Sequence, residues 1–394
     1  MTRKAAAAAA LAACVAISAC GSGSQVSAPS ALPGADASSS ARPSTSASPA
    51  SRPLAPIAGA TCAAEAAFVR ALPVRRRLAQ LLMVGVTGPA DARAAVRRYG
   101  VGGIFIGSWT DESIFSKSTI DGISKLGRVP VMVSVDEEGG RVSRVPGADL
   151  KSARSMAQTM TVPQVEAEGK RVGTLMAGMG ITVDLAPDAD VSDEAADAVI
   201  GDRSFSNDPA TVVKYAKAFA EGLREAGVYP VYKHFPGHGH GSGDSHVGAV
   251  TTPPLAQMKT DDLVPFRAIA GEDAGVMVGH LDVPGLTGGL PASLSPAAMT
   301  LLRDGAGYGA PAHTGVIITD DLSGMGAISD TYPVPQAAAK AIEAGADMAL
   351  WITTDHIEET LDTLQAALKT HQLSLDAVDE SVLRIARAKH AVHC

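Results

Sequence analysis

Short apolar runs alternate along this chain with longer stretches in which apolar side chains recur every three or four positions. The runs at 81–86, 102–106, 129–135, 182–185, 229–233, 275–279, 315–319 and 348–352 have the length and the share of β-branched residues that predict buried strands. Stretches such as 208–225 and 334–344 carry helical spacing between them, and a further helix over 375–391 follows the last run. Strands separated by helices run parallel, because each crossover returns the chain to the same end of the sheet. Eight such units predict an α/β fold, a (β/α)8 TIM-type barrel of ordinary size. The barrel is expected to span 59–394 as one catalytic domain, since no break in composition marks a second α/β sandwich domain.

A barrel of this kind collects its reactive groups at the C-terminal ends of the strands. Asp136 follows the third predicted strand, Asp184 lies at the fourth, Lys233 and His234 end the fifth, His280 follows the sixth and Asp320 follows the seventh. These polar residues are therefore expected on a single rim.

The stretch 233–246 holds a lysine, four histidines and an aspartate, with glycine at every second position from Gly237 to Gly243. Glycine admits unusual backbone angles and close approach to a ligand, which suits a mobile active-site loop. Three readings stand side by side at this level. His234, His238, His240 and His246 could converge on a metal ion. Asp244 and His246, two apart and so on one side of an extended segment, could form an oriented acid/base pair. Or the loop is solvated and its histidines have no chemical task.

The first sixty residues differ in kind from the rest. Arg3 and Lys4 precede an apolar run from Ala5 to Ile17, too short for a permanent membrane span but suited to an export signal over 1–19. Ile17-Ser18-Ala19-Cys20 resembles a bacterial lipobox, which makes Cys20 the expected lipidation site; Leu11-Ala12-Ala13-Cys14 fits the pattern less well. From 20 to 58 the chain is mostly Ser, Ala and Pro, a composition that cannot bury enough apolar surface to fold and so predicts a disordered tether. The expected location is the cell envelope, with membrane contact through the lipid anchor only. Cys62 and Cys394 remain, and in an exported protein they are expected to form a disulfide, the alternative being two free thiols. With 33 basic and 41 acidic residues the chain is acidic and lacks a basic cluster, so nucleic acid is not an expected partner.

The loop as a whole resembles the K-H-F-P-G-H-G-x(4)-D-S-H pattern of bacterial family 3 glycoside hydrolases, in the β-N-acetylglucosaminidase branch. Three further segments match in order: Asp136-Glu137-Glu138-Gly139-Gly140-Arg141-Val142-Ser143-Arg144, Ile200-Gly201-Asp202-Arg203-Ser204-Phe205 and Ile318-Thr319-Asp320-Asp321-Leu322-Ser323. The resemblance runs from about Leu81 to Ala388.

It implies a retaining exo-acting β-N-acetylglucosaminidase in which Asp320 is the nucleophile and His246, supported by Asp244, is the acid/base. A histidine that titrates at about 6.5 in water can give and take a proton near neutral pH without the deep burial a Glu would need. By motif position Asp136 would accept hydrogen bonds from sugar hydroxyls, while Arg144, Arg203, Lys233 and His234 would donate. Glu138, Arg141 and Asp202 would brace the motif backbones, and Asp321 would point away toward the helices.

No cofactor or metal is implied, and the expected partners are carbohydrates, peptidoglycan fragments among them, bound by a monomer. Phosphorolysis, a β-glucosidase of the same family, a zinc hydrolase and a sugar-binding lipoprotein are the rivals. The chain departs from the family pattern at His240, where Asp is common, and at Gly324, inserted before Met325.

Overall fold

The structure, a computed structural model, describes residues 63–392. Cys20, Cys62 and Cys394, with the expected signal and tether, lie outside the described residues.

Ten strands follow in chain order: β1 Leu82–Gly85, β2 Gly103–Ile106, β3 Met132–Val135, β4 Val183–Asp184, β5 Tyr229–Phe235, β6 Val250–Thr251, β7 Gly275–Val278, β8 Leu281–Asp282, β9 Ile317–Thr319 and β10 Ala349–Trp351. Eight are parallel and pair in the order β10-β1-β2-β3-β4-β5-β7-β9. A parallel bridge between Ile318 and Met348 joins the two ends of that order and closes the ring. The barrel is thus the one the alternation predicts, and every residue in these eight strands is buried. Burial on both faces is why these strands read mostly as apolar runs rather than as alternating apolar and polar positions, with Ser134, Asp184, Lys233, His234 and Thr319 as the polar exceptions.

The helices cover the outside as amphipathic elements. Helix Pro209–Glu225 starts where the Asp208 carboxylate accepts from the Thr211 N–H at 3.0 Å, and it buries Val212, Ala216, Phe219 and Leu223. It lies against helix Val162–Met179 so closely that a Cβ on Gly222 would stand 2.1 Å from the Glu166 carbonyl. Only glycine fits there. Helix Leu375–Ala388 packs on helices Ala63–Arg70 and Val74–Gln80, pinned by Arg77, whose Nη1 reaches both Asp379 oxygens at 2.9 and 3.0 Å.

The apolar pattern does not reveal β6 and β8. These two-residue strands pair in parallel above the barrel, Val250 with Leu281 and Thr251 with Asp282, and are too short to carry a period. They tie the far end of the glycine-rich loop to the segment after β7.

Candidate active site

The C-terminal ends of the strands surround a cavity of about 330 Å3. Its floor is apolar, formed by Phe105, Leu185, Met277 and Leu350 from the barrel interior. Its walls carry Asp136, Glu138, Arg144, Arg203, Lys233, His234, His246 and Asp320. Four separate chain segments, each legible as a motif, therefore meet at one site.

Not all of the rim residues reach the cavity. Asp184 is buried outside its lining, where one oxygen accepts from the Glu137 N–H at 2.9 Å, and burial pushes its carboxyl up. His280 is buried too. Its Nε2–H donates to the Asp321 carbonyl at 2.8 Å and its Nδ1 accepts from the Ser293 hydroxyl at 2.7 Å, so it fixes the backbone beside Asp320.

A chain of charges runs along the wall. Lys233 Nζ stands 2.6 Å from Asp136 Oδ1 and 2.6 Å from Glu138 Oε1. Glu138 in turn takes two hydrogen bonds from Arg203, at 2.7 Å from Nε and 2.8 Å from Nη2. Burial alone would raise the Glu138 carboxyl, but the charges of Arg203 and Lys233 outweigh it and hold the group well below the usual carboxylate range. Burial likewise opposes the Lys233 charge, and Asp136 and Glu138 restore it.

Glu138 is thus not the backbone brace expected for it. Its neighbour Glu137 does that, accepting from Ser143 Oγ at 2.7 Å, Arg144 N at 2.7 Å and Val145 N at 2.8 Å. Arg141 does brace as expected, donating to the carbonyls of Asp197, Ala198, Val199 and Ile200 and pairing with Asp202. Because removing one member of a buried ion network strands the others, Glu138→Ala should lower stability by about 3–5 kcal/mol in denaturant unfolding. A loss below about 1 kcal/mol would mean that water already screens the network.

Two carboxylates that no motif singled out, Asp188 and Asp190, lie behind His234. Asp190 Oδ2 accepts from His234 Nδ1–H at 2.7 Å and its Oδ1 from the His238 N–H at 2.6 Å. His234 Nε2 then accepts from Arg203 Nη2 at 3.3 Å. Burial first, and the Arg203 charge next, hold the His234 imidazole down at about 3, so it is neutral at working pH. With its one N–H given to Asp190 and its Nε2 lone pair taken by Arg203, His234 cannot donate to a sugar from the loop root as expected. Burial, followed by the nearby Asp190, pushes Asp188 up to about 8.

Asp188, Asp190 and His234 also bring three possible metal ligands within 4.8 Å of one another. Their closest pair, 2.7 Å apart, has the spacing of a hydrogen bond, whereas two ligands about 2.1 Å from one tetrahedral ion stand roughly 3.4 Å apart. The other histidines considered for a metal are paired elsewhere: His238 Nε2 with Ser245 Oγ at 3.2 Å, His240 with Asp262 and His246 with Asp244.

The glycine-rich loop folds over the cavity. Asp244 Oδ1 accepts both the His246 N–H at 2.9 Å and Nδ1–H at 2.7 Å, which orients the ring with Nε2 left for other partners. Burial would raise the Asp244 carboxyl, but its contacts with His246 outweigh it and lower the group, so it stays ionised. The tip is docked by main chain: Gly326 N–H donates to His246 O and Ala327 N–H to Ser245 O, each at 3.1 Å.

His240 gives the loop a second tether. Its Nδ1 lies 2.9 Å from Asp262 Oδ1, and that hydrogen bond, against partial burial, raises the imidazole to about 9. Burial pushes Asp262 up while His240 pulls it down, and the contact keeps the proton on the imidazole. A histidine raised on folding stabilises fully below its unfolded value of about 6.5, and the contribution is lost as pH rises through about 9. Amide exchange over 237–246, corrected for intrinsic rates, should accelerate across that window in the native enzyme but not in His240→Asn. Flat protection would remove this pair from the account.

Asp320 sits directly after β9, its N–H bonded to Val278 O at 3.0 Å and its Oδ1 accepting from the Asp321 N–H at 2.8 Å. Burial would raise it, but His234, His280, the Asp321 N–H and Lys233 hold it at about 2. His234 is itself neutral above about 3, so at working pH Lys233 supplies the standing positive charge. Asp321 does not turn away to the helices. It lines the cavity and folds back to accept from Ser323 N and Oγ and from Gly324 N at 2.7–2.9 Å. Gly324, the inserted residue, closes that turn: a Cβ on it would stand 2.6 Å from Asp321 Oδ2.

Comparison with known proteins places this geometry. Residues 73–388 match the model described as the glycosyl hydrolase family 3 N terminal domain. The chain is 55% identical over 333 residues to beta-hexosaminidase LpqI of Mycobacterium tuberculosis, covering 84% of this chain and 86% of that protein. It is 34% identical to a beta-hexosaminidase of Alkalilimnicola ehrlichii, over 68% of this chain and 79% of the relative. Among solved structures it superposes on M. tuberculosis LpqI with a TM-score of 0.81, covering 84% of this chain and 97% of that one. A family 3 β-N-acetylglucosaminidase of Paenibacillus, 30% identical, gives 0.74 over 81% of this chain and 62% of that one. Barrel, motif order and matched length agree: the chain belongs to glycosyl hydrolase family 3 and is a glycoside hydrolase.

Proposed function

We propose that the protein is an exo-acting, retaining β-N-acetylglucosaminidase that removes terminal β-linked N-acetylglucosamine, with peptidoglycan fragments in the cell envelope as its substrates. The observation that carries this reading is the pairing of an anchored, ionised Asp320 with an oriented Asp244–His246 dyad around one cavity. The cavity is at the small end of the roughly 300–1,000 Å3 range of ligand sites and is closed below by an apolar floor. A chain end fits such a site, whereas a continuous polymer does not.

In the first step Asp320 attacks the anomeric carbon while His246 gives the Nε2 proton to the departing oxygen. A covalent glycosyl-enzyme and a free aglycone result. In the second step His246 takes a proton from water, whose oxygen displaces Asp320 and restores the β-configuration. Asp136 accepts hydrogen bonds from hydroxyls of the terminal sugar; Lys233, Arg203 and Arg144 donate. The neutral His234 and the ion-paired Lys233 keep the buried wall from adding a second mobile proton.

The reading extends to the termini: export, lipidation at Cys20, a flexible spacer to about residue 58 and a Cys62–Cys394 disulfide. Two free thiols in the denatured, unreduced mature protein would exclude the disulfide. A bond should instead lower the melting temperature on reduction.

A panel of chromogenic β-glycosides, assayed with and without phosphate, tests the activity. Release from the N-acetylglucosaminide, with free β-N-acetylglucosamine as the first product, is expected. Preference for the glucoside, or a sugar phosphate as product, would contradict it.

A further inference from the structure

The cavity wall is uneven in burial. Lys233 and His234 are 2% and 5% exposed, and among the lining residues only Trp109, His246 and Gly324 are exposed, Trp109 at 44%. The groups assigned to the terminal sugar thus lie inward, and these three residues form the rim.

Trp109 is a large apolar side chain left in water at a place where the fold holds it firmly. Its ring packs edge-on against Phe105, with centroids 5.8 Å apart and planes at 61°. Behind it is Gly107, where a Cβ would stand 2.3–2.6 Å from three carbons of the indole. The missing side chain lets the indole lie against the backbone. An indole fixed on one side and wet on the other is an apolar platform prepared for a ligand.

We propose that Trp109 is the platform on which the leaving sugar stacks, the residue on the far side of the scissile bond from the terminal N-acetylglucosamine. This rests on the proposed hydrolysis. His246 must reach the glycosidic oxygen, so that oxygen lies at the boundary between the buried floor and the rim, and the sugar beyond it emerges among the exposed residues. A β-linked hexopyranose in its chair form presents a face of axial C–H bonds, which matches an aromatic face in both polarity and shape. The ligand class is accordingly a second pyranose, such as the reducing-end N-acetylhexosamine of a β-linked disaccharide, rather than a peptide or an acyl chain.

The test compares two substrates that share the terminal sugar: a β-1,4-linked N-acetylglucosamine disaccharide and N-acetyl-β-glucosaminyl fluoride, which has no leaving sugar. Trp109→Ala should lower kcat/KM for the disaccharide by about 5- to 20-fold and change that for the fluoride less than about twofold, with Trp109→Phe recovering most of the loss. A sulfur-linked disaccharide should quench the fluorescence of the native enzyme. The quench should be lost in Trp109→Phe, since the chain's other tryptophan, Trp351, is buried. Equal losses on both substrates would put Trp109 at the terminal sugar or in the fold, and no loss on either would leave it without a binding role. Either outcome overturns the proposal. Failure of the native enzyme on the fluoride as well as the disaccharide would instead overturn the proposed N-acetylglucosaminidase activity itself.

Discussion

Replacing Asp320 with Asn abolishes turnover, by about 10^4-fold or more, and leaves the barrel folded. The amide oxygen can still accept the Asp321 N–H that Asp320 Oδ1 accepts at 2.8 Å, so the segment after β9 keeps its anchor. What disappears is the negative charge that must bond to the anomeric carbon. The wild-type carboxyl is held at about 2, so it is ionised throughout the working range and its loss cannot be offset by raising the pH. Asp320→Gly with azide and an activated aryl glycoside should regain activity and yield the α-configured glycosyl azide. Rescue without that inversion, or near-native rates for Asp320→Asn, would place the nucleophile elsewhere.

Replacing His246 with Ala gives the second large effect, and its size depends on the substrate. Disaccharides and other poor leaving groups should slow by about 10^2- to 10^4-fold in kcat/KM, whereas a dinitrophenyl glycoside, which departs with little protonation, should slow far less. The exposed position of His246, 63% accessible on a loop docked through the Gly326 and Ala327 N–H groups, permits this truncation without disturbing the core. Azide should accelerate this variant too, but through the second step, giving the β-configured azide. Equal losses on all leaving groups would reduce His246 to a part of the loop's fold.

Much of this was legible before any coordinates because burial writes itself into composition. A parallel strand packed on both faces is apolar at most positions, so the eight barrel strands stand out as runs, and polar residues at or just past their C-terminal ends fall on the rim. Boundaries shifted where chemistry intervenes: the third strand begins at Met132 rather than 129, after Pro130, which has no N–H for a ladder. Asp188 and Asp190 lie beyond a strand end, the same signal that marks Asp136 and Asp320, but no motif singles them out. That the bracing role falls to Glu137 and not to Glu138 cannot be read from spacing. Adjacent carboxylates differ only in which way the chain turns, and that turn is set by Gly139 and Gly140, both at positive φ. Trp109 is silent in the sequence for a related reason, since a lone aromatic in a loop has no period to show whether it faces the core or the cavity.

The covalent intermediate is the claim on which the rest depends, and trapping it is the most direct test. A 5-fluoro N-acetylglucosaminyl fluoride slows both chemical steps through its ring substituent while its leaving group speeds the first, so the glycosyl-enzyme accumulates. Proteolysis and mass spectrometry should find one added sugar on the peptide that contains Asp320 and none in Asp320→Asn. A label on another residue, or time-zero products of inverted configuration with no adduct, would contradict the account.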